Sequence, residues 1–308
     1  MRDARILLIG DYYVDQIFTG IDTWVTPGQE VFAQQLVTLP GGAFTHARAL
    51  HRLDAPVVWA ADLGEDEMSD LIRRAAEEEN LDSSSFLNHA GPRRRITVAV
   101  THSGDRGFVS YRDDTQRPNY ADIVRELRPT HVLAVELDMG ESWRLLAEAC
   151  ADVGAEVILD PQHNTATIAD LELVEVLSSL TAFLPNADEA MAMSRTDSIE
   201  AAAQTLGGYV PLVVIKDGAA GALLHREGVS ARIEAPVVTE VVDTVGAGDC
   251  FDSGFVAGIV AGLDPIAAVE LGVVCGSLSV QGSGGTAAPT TAQIAKTHPH
   301  LVPGSVTT

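Results

Sequence analysis

The sequence predicts an α/β protein with a central, mostly parallel β-sheet that carries helices on both faces. Short apolar runs alternate with stretches of helical periodicity from residue 131 onward, a pattern typical of a parallel sheet covered on both sides. Earlier in the chain, two β-rich runs at 96–101 and 108–112 flank a glycine-containing turn and predict a hairpin. The length of 308 residues suits one large α/β domain, which we place at 1–308.

The individual elements follow the chain in order. An apolar run at 6–10 predicts a buried first strand, and a glycine pair at 41–42 precedes a predicted helix at 43–53. The tail after residue 297 is expected to be loosely held. Apolar or β-branched runs predict further strands at 57–64, 131–136, 156–161, 181–185, 212–218 and 236–242, and a second hairpin at 221–225 and 230–233. Helical spacing predicts further helices at 65–79, 141–153, 168–177, from 186, after 246 and at 265–281.

The composition excludes several classes of function. Acidic residues outnumber basic ones by 43 to 20, and the net charge is -23, so we expect neither nucleic acid nor a membrane surface as a partner. No apolar run reaches the length of a membrane span. Three widely spaced cysteines form no zinc pattern and predict a reducing compartment. Residues 1–5 lead directly into the first strand without a signal peptide, so we expect a cytoplasmic protein.

The stretch from Asp243 to Phe251 carries the most chemistry. It joins a predicted strand to a predicted helix, and the backbone N–H groups at a helix start lack intrahelical partners and bind anions. Its glycines let the backbone curl and let an anion come close. Asp249 follows directly, where a carboxylate can take the proton from a hydroxyl that attacks phosphorus. The alternative role for Asp249 is that of a helix N-cap.

This stretch resembles the C-terminal signature of the PfkB carbohydrate kinase family, the ribokinase-like sugar kinases. The resemblance implies a ribokinase-like fold and an enzyme that transfers the γ-phosphoryl group of MgATP to a hydroxyl of a small sugar. It implies that Gly246, Ala247 and Gly248 form the anion hole for the transferred group and that Asp249 is the catalytic base. Motifs in the family's order extend over almost the whole chain.

The N-terminal part of the chain resembles the sugar-binding half of the same family. Asp11 and Asp15 follow the first strand, and the resemblance assigns sugar hydroxyls to Asp15 and, secondarily, to Asp11. Gly41 and Gly42 match the two glycines that approach the sugar. The family usually has an asparagine four residues later, where this chain has His46. A histidine can still hydrogen-bond a substrate, but the exchange leaves the identity of that substrate open.

The nucleotide is expected along the strand at 212–218. Lys216 and Gly218 lie at its end and resemble the family's nucleotide-binding strand, and a cation at Lys216 would partner the ATP phosphates. Gly284 lies in a glycine-rich loop that resembles the border of the family's adenine pocket. In members that use a monovalent cation such as K⁺, carbonyls of that loop and the aspartate at the position of Asp243 help to bind it.

A magnesium site is expected near residue 186. Asn186 and Glu189 have the spacing of a capping box at a helix start, which is their structural interpretation. They also match the family's Asn-x-x-Glu motif, which implies that they order Mg²⁺ and the phosphates through water. Because Mg²⁺ keeps several waters and takes few protein ligands, an indirect role of Glu189 is chemically reasonable.

The resemblance also implies a small β-sheet that forms a lid over the sugar. The lid segments are expected at 14–38 and 93–115, and a closed lid excludes water from phosphoryl transfer. In several members the lid sheets of two subunits pack together, which predicts a homodimer here.

Three alternatives stay open at this point. A nucleoside kinase of the same fold is one, because His46 replaces the usual asparagine. A non-catalytic ligand-binding homologue is another, although such a protein would have little reason to keep Asp249 on an anion site. A dinucleotide-binding oxidoreductase is disfavoured, because Phe251 stands where the third glycine of its fingerprint would be.

Overall fold

A computed structural model describes residues 6–24, 26–102, 105–162 and 164–302. Over these ranges the larger sheet has eight strands. From one edge to the other they are β4 (Val57–Trp59), β1 (Ile6–Ile9), β9 (His131–Val135), β10 (Glu156–Asp160), β11 (Ala182–Phe183), β12 (Leu212–Lys216), β13 (Ala222–Arg226) and β14 (Val229–Ile233).

Neighbouring strands from β4 to β12 run parallel, and β13 and β14 form an antiparallel hairpin at the edge. Parallel strands need long crossovers, which the intervening helices supply. The predicted mostly parallel sheet and its edge hairpin are therefore confirmed.

The helices form two layers, because successive side chains of a strand point to opposite faces. Ile6 and Leu8 of β1 pack into one core with the first pair of helices and the last long pair, whereas Leu7 and Ile9 pack into the other core. The first layer contains α1 (Ala43–Arg52), α2 (Glu67–Glu78), α8 (Ala247–Val260) and α9 (Pro265–Ser279), and the second contains α3 (Tyr120–Leu127), α4 (Glu141–Val153), α5 (Leu171–Ser178), α6 (Ala187–Ser194) and α7 (Ile199–Leu206). A short α10 (Thr291–Thr297) packs on the outside of α9.

A smaller sheet stands apart from the main one, with the strand order β3 (Gln35–Gly42), β2 (Tyr12–Thr19), β7 (Arg95–His102) and β8 (Asp105–Arg112). β7 and β8 form the predicted hairpin, whose turn residues 103 and 104 lie outside the described residues. β2 follows β1 after two residues, so the small sheet begins at the carboxyl end of a main-sheet strand. A separate two-residue pair joins β5 (Asp62–Leu63) to β6 (Leu87–Asn88).

Some predicted elements are wrong. The run at 236–242 forms no strand, and Val237 is 94% exposed, because the β-branched residues there find no partner strand. The run at 57–64 is interrupted after Trp59 and resumes only at Asp62. The chain end expected to be loose from residue 298 instead forms a 3₁₀ turn at Pro299–Leu301 that buries Leu301, whereas 303–308 lie outside the described residues. The sequence analysis did not predict α3, α7 or α10.

Among the described helices, none has both the length and the apolar character needed to cross a bilayer.

Candidate active site

Most of the predicted site residues converge at the carboxyl ends of the parallel strands, where open α/β sheets bind their ligands. Asp160 and Lys216 are the last residues of β10 and β12, and Asp11 lies two residues after β1. The first turn of α8 brings Asp249 to the same place, since its carboxylate interacts electrostatically with both Asp160 and Lys216.

The start of α8 has the backbone of an anion site. Gly246 is the N-cap and has a φ of 79°, a left-handed conformation that favours glycine. A Cβ there would also meet the backbone of Gly285 at 3.1 Å. In the described structure, the N–H groups of Gly248 and Asp249 have no hydrogen-bond acceptor. Such groups at the positive end of the helix dipole attract an anion.

Asp249 keeps access to the cleft, since its side chain is 24% exposed. Its side chain makes no cap hydrogen bond to the start of α8, so the alternative role as an N-cap is not the one it has here. Burial raises the pKa of its carboxyl group, whereas the nearby His46, Lys216 and Arg48 act to lower it. A carboxylate that is partly desolvated but flanked by cations has the properties of a general base.

Lys216 lies in an ion cluster beneath the anion site. Its Nζ is 2.9 Å and 3.1 Å from the two carboxylate oxygens of Asp252 on α8, and 3.4 Å from Oδ1 of Asp160. Burial acts to lower the pKa of Lys216, but these carboxylates outweigh it and raise the pKa. A Cβ on Gly248 would lie 3.7 Å from Nζ. The lysine thus borders the anion site, as the sequence predicts, but it has two protein partners that the sequence does not indicate.

His46 is completely buried on α1, below Asp249. Its Nε2 lies 3.9 Å from Oδ1 of Asp249 and 3.7 Å from Oδ2 of Asp252, and Nδ1 lies 3.4 Å from the carbonyl oxygen of Gly42. The ring therefore contacts the predicted base from below, inside the protein. The sequence analysis expected it to contact the substrate.

Asp15 and the glycine pair lie together on the small sheet, where β2 pairs with β3. A Cβ on Gly41 would collide with the Asp15 carboxylate, and Gly42 has a φ of 61° with the Asp11 carbonyl oxygen 2.6 Å from where a Cβ would be. Space and backbone conformation therefore require glycine at Gly42, whereas a side chain at Gly41 would displace the Asp15 carboxylate. Burial, then the charges of Asp249 and Asp243, raise the pKa of Asp15 to about 7, so Asp15 and Asp249 lie in one acidic cleft.

Asp11 contacts three arginines that could not be predicted from the sequence as its partners. Its carboxylate lies 3.1 Å from Arg95 and 3.8 Å from both Arg112 and Arg117. The last two also bind Oε1 of Glu136, at 3.0 Å and 2.8 Å. Glu136 follows β9 with an unusual φ of 128° for a non-glycine residue, and strained backbone is often found at functional sites. Its position as the last residue of the strand predicted at 131–136 was the only available signal.

A cavity of about 560 Å³ adjoins the anion site, a volume in the range of small-molecule sites. Lys216, Gly218 and Gly248 line its polar end, and Val238, Val241 and Phe251 contribute to its apolar walls. Gly218 therefore lies where the sequence places the nucleotide. The segment 236–242, which was predicted as a strand, supplies one wall of this cavity. Exposed valines of this segment therefore line the cavity.

Gly284 and Asp243 lie beside each other rather than among the residues that line this cavity. Gly284 donates its backbone N–H to Oδ2 of Asp243 at 3.0 Å and accepts a hydrogen bond from Arg48 at 3.1 Å. Asp243 also accepts the backbone N–H of Val245 at 3.0 Å. These bonds tie the loop at Gly284 to the segment that precedes α8.

Asn186 and Glu189 form the predicted capping box at the start of α6. Asn186 Oδ1 accepts the N–H of Glu189 at 2.9 Å, and Glu189 Oε2 accepts the N–H of Asn186 at 2.8 Å. Glu189 also acts electrostatically on Lys216, so this helix start borders the cleft. Its carboxylate and amide oxygens are the donor types that Mg²⁺ and its waters prefer, and the residues thus fit the ion.

Comparisons with known proteins give one consistent answer. The family described as pfkB family carbohydrate kinase matches residues 4–292. The ribokinase of Lactococcus lactis is 24% identical over 90% of this chain and 91% of its own length, and the uncharacterized sugar kinase YegV of Escherichia coli is 28% identical over 96% and 94%. The structure of Arabidopsis thaliana ribokinase complexed with ribose and ATP has a TM-score of 0.79 at 22% identity, covering 95% of this chain and 98% of that one.

Proposed function

Because the chain belongs to the pfkB family of carbohydrate kinases and is an ATP-dependent sugar kinase, we propose that Asp249 activates the sugar hydroxyl that receives the phosphoryl group. One observation carries this assignment: Asp249 lies in the first turn of α8, directly after the Gly246 turn, with a side chain that reaches the cleft. The base and the anion site are thus successive residues of one turn.

The proposed chemistry uses this turn twice. The acceptor hydroxyl gives its proton to the Asp249 carboxylate as the hydroxyl oxygen bonds to the γ-phosphorus of ATP. The bond from that phosphorus to the oxygen that bridges the β- and γ-phosphates breaks, and this oxygen leaves with ADP. The N–H groups of Gly248 and Asp249, next to Gly246 and Ala247, hold the phosphoryl oxygens while charge builds on them. Donors fixed in advance stabilise that charge without having to reorganise.

The nucleotide would occupy the cavity beside Gly218, with its phosphates toward Gly248 and Lys216. The apolar walls at Val238 and Phe251 suit a purine ring, and Nζ of Lys216 lies 3.7 Å from where a Cβ on Gly248 would be. Asn186 and Glu189 would hold Mg²⁺ through water, and this ion supplies charge neutralisation for the phosphates.

The substrate is proposed to be a small neutral sugar, as for a ribokinase or fructokinase. Asp15, with Gly41 and Gly42 beside it, lies in the same acidic cleft as Asp249 and is suited to accept hydrogen bonds from sugar hydroxyls. The nearby Arg112 and Arg117 are already bound to Glu136, which disfavours a substrate with its own phosphate or carboxylate. His46 is proposed to act from below the base, so its exchange for asparagine gives no argument for a nucleoside.

A monovalent cation such as K⁺ is proposed beside Asp243, whose carboxylate joins the segment before α8 to the loop at Gly284. A cation there would tighten the loop that faces Gly246. Replacing K⁺ by a large organic cation is expected to lower the turnover rate, and an unchanged rate would exclude this site.

The small sheet is proposed to act as the lid and as a dimer contact. Asp15 lies on one of its faces, and by alternation Leu36, Val109 and Tyr111 lie on the other, where all three are more than half exposed. Apolar exposure of this kind favours a second copy of the chain as partner. Sedimentation of the wild type and of Val109→Glu tests the dimer contact, and we expect the variant to be shifted toward the monomer. A wild-type monomer at micromolar concentration would exclude the dimer.

The cytoplasm is the proposed site of action. Its thiols stay reduced, and the three cysteines Cys150, Cys250 and Cys275 are buried and unpaired here. The cytoplasm also supplies the co-substrate ATP.

The decisive experiment measures ADP release from MgATP across neutral sugars, ribose 1-phosphate, 2-dehydro-3-deoxygluconate and adenosine. We expect a neutral sugar to respond most strongly, and Asp249→Asn to lose about 10²–10⁴-fold in kcat while ATP binding by calorimetry is retained. Asp122→Asn, an exposed carboxylate on α3, is the matched control. Near-normal activity of Asp249→Asn would refute its role as the base.

A further inference from the structure

We propose that His46 is a positioning residue: as an imidazolium ion between Asp249 and Asp252, it keeps the catalytic carboxylate ionised and fixed in orientation. The inference rests on the proposed role of Asp249 as the base, and it assigns a role to the buried Asp252 as well. It makes the two residues His46 and Asp252 one unit.

The hydrogen-bond geometry at the ring carries this inference. A neutral imidazole has one donor and one acceptor nitrogen. Both nitrogens of His46 face oxygen acceptors, because Nδ1 lies by the Gly42 carbonyl and Nε2 lies by the carboxylates of Asp249 and Asp252. Only the doubly protonated ring presents a donor in both directions. In the described structure Nε2 is buried and makes no hydrogen bond, so a small shift of Asp249 would complete one.

The charge balance of the cluster points the same way. The cluster holds three carboxylates and one ammonium group: Asp252 and Asp160 lie 2.9 Å and 3.4 Å from Nζ of Lys216, and Asp249 interacts with Lys216 electrostatically. Buried charges without partners are costly, and a charged His46 supplies the second cation. Further out, Arg48 from α1 acts on Asp249 with positive charge, and Asp15 from β2 acts on it with negative charge.

A metal ion is not needed to account for the cluster. One ligand atom each from His46, Asp160 and Asp252 lies within 4.8 Å of the others, which is a geometry that a cation could use. However, Lys216 Nζ already lies between the two carboxylates, at 2.9 Å and 3.4 Å. The positive charge that this place requires is therefore covalently part of the chain.

The direction of the pKa values agrees with this geometry. Burial works against a charged ring, but Asp249 and Asp252 outweigh it and raise the pKa of His46. Burial raises the pKa of Asp249, and His46 is the largest influence that lowers it. Burial also raises the pKa of Asp252, to about 7. Removing the ring should therefore raise the pKa of Asp249 further and leave the base protonated over a wider pH range.

The first test is the pH profile of kcat/KM. We expect His46→Asn to move the acidic limb of the profile up by about one pH unit, with activity recovering at high pH. The double variant His46→Asn/Asp252→Asn removes one charge of each sign and should return the limb toward the wild-type position. His51→Asn, on the same helix but outside the cluster, should leave the limb in place.

The second test needs no substrate and no turnover. The His46 ring is titrated by proton–nitrogen NMR in the wild-type protein, and its signal is assigned by its loss in His46→Asn. We expect a midpoint above the ordinary value near 6.5, and a fall of about one pH unit in Asp252→Asn. Because this titration is independent of kinase activity, it separates a failure of the charge contact from a failure of the proposed function.

Two results would overturn the inference. A titration midpoint of His46 below 6.5 would show that burial lowers its pKa more than the neighbouring carboxylates raise it. An acidic limb that stays in place in His46→Asn, with kcat lowered equally at every pH, would leave His46 with a packing role only. If His46→Asn does not fold, the change in the His46 midpoint between the wild type and Asp252→Asn decides the question, with the signal assigned by its loss in His46→Gln.

Discussion

Lys216 and Asp252 form a buried ion pair, with Nζ 2.9 Å from Oδ2, directly beneath the turn that carries Asp249. The two residues are 36 positions apart in the chain. The pair holds the end of β12 against α8, so the cation that borders Gly248 also fixes the helix that begins there. Loss of this lysine should therefore affect both folding and nucleotide use.

Lys216→Ala is expected to lower the free energy of unfolding by about 3–5 kcal/mol, because it leaves Asp252 buried without its partner. The KM for ATP should rise as well. Urea unfolding and ATP-dependent initial rates measure the two effects. Lys296→Ala is a matched control, since Lys296 is the other lysine of the chain and lies exposed on α10. Unchanged stability of Lys216→Ala would contradict the ion pair.

Arg95→Ala should be far more costly than Arg94→Ala, although the two are adjacent. Arg95 is buried and binds Asp62 at 2.7 Å and Asp11 at 3.1 Å, whereas the side chain of Arg94 is 48% exposed. We expect a loss of about 3–5 kcal/mol for Arg95→Ala and a far smaller one for Arg94→Ala, because water screens an exposed ion pair. Equal losses in thermal or urea unfolding would show that the network around Asp11 contributes little.

Asp15→Asn should make the free energy of unfolding fall less steeply as the pH rises from 4 to 8. The folded pKa of Asp15 is raised to about 7 from its ordinary value of 3.8, so between these values the folded state binds more protons than the unfolded state. The contribution of Asp15 to stability is therefore present below pH 3.8 and is lost as the pH rises through 7. The stability of Asp15→Asn relative to wild type should increase from pH 4 to pH 8.

The measurement is urea unfolding of both proteins at several pH values in that range. Asp122→Asn serves as the control, because its exposed carboxyl group should leave the pH dependence of the wild type intact. A stability difference between Asp15→Asn and the wild type that stays constant with pH would contradict the buried, acidic surroundings of Asp15.

Gly246→Ala should disturb catalysis more than folding. An alanine in the left-handed conformation costs about 1–2 kcal/mol, and its Cβ would press on Gly285 at 3.1 Å. The turn should shift and misdirect the N–H groups of Gly248 and Asp249, so we expect kcat to fall by about 10²-fold or more. Gly262→Ala is the control, since Gly262 also has a positive φ but has open space around it. Equal kcat values for the two variants would argue against the anion site.

The sequence predicted those elements whose pattern is local. The bounds of α4 agree with the expected helix at 141–153, because its apolar spacing is regular and a glycine at 154 ends it. The run at 236–242 has strong β propensity but no neighbouring strand, and propensity alone does not make a strand. The unpredicted α3, α7 and α10 have eight residues or fewer, a length at which periodicity is a weak signal, and no family motif marks them as Asn186 and Glu189 mark the equally short α6.

The motif residues were found from the sequence, but their partners were not. A glycine-rich turn before a helix indicates an anion site wherever it occurs, so Gly246 to Asp249 could be identified by local chemistry. No motif around Asp252 or Glu136 indicates which charged residue each one binds. Their partners, Lys216 and Arg117, lie elsewhere in the chain. The three consecutive arginines at 93–95 do not indicate their partners either, and two of them, Arg93 and Arg95, bind the buried Asp62.

The passage from β3 into α1 has no loop, since the strand ends at Gly42 and the helix begins at Ala43. The small sheet and the helix that carries His46 therefore share a single joint, which is the left-handed backbone of Gly42. A rotation of the small sheet about Gly42 would therefore also rotate or shift α1. If the small sheet closes over a sugar as proposed, the rotation passes through Gly42 and also moves the His46 imidazole relative to Asp249.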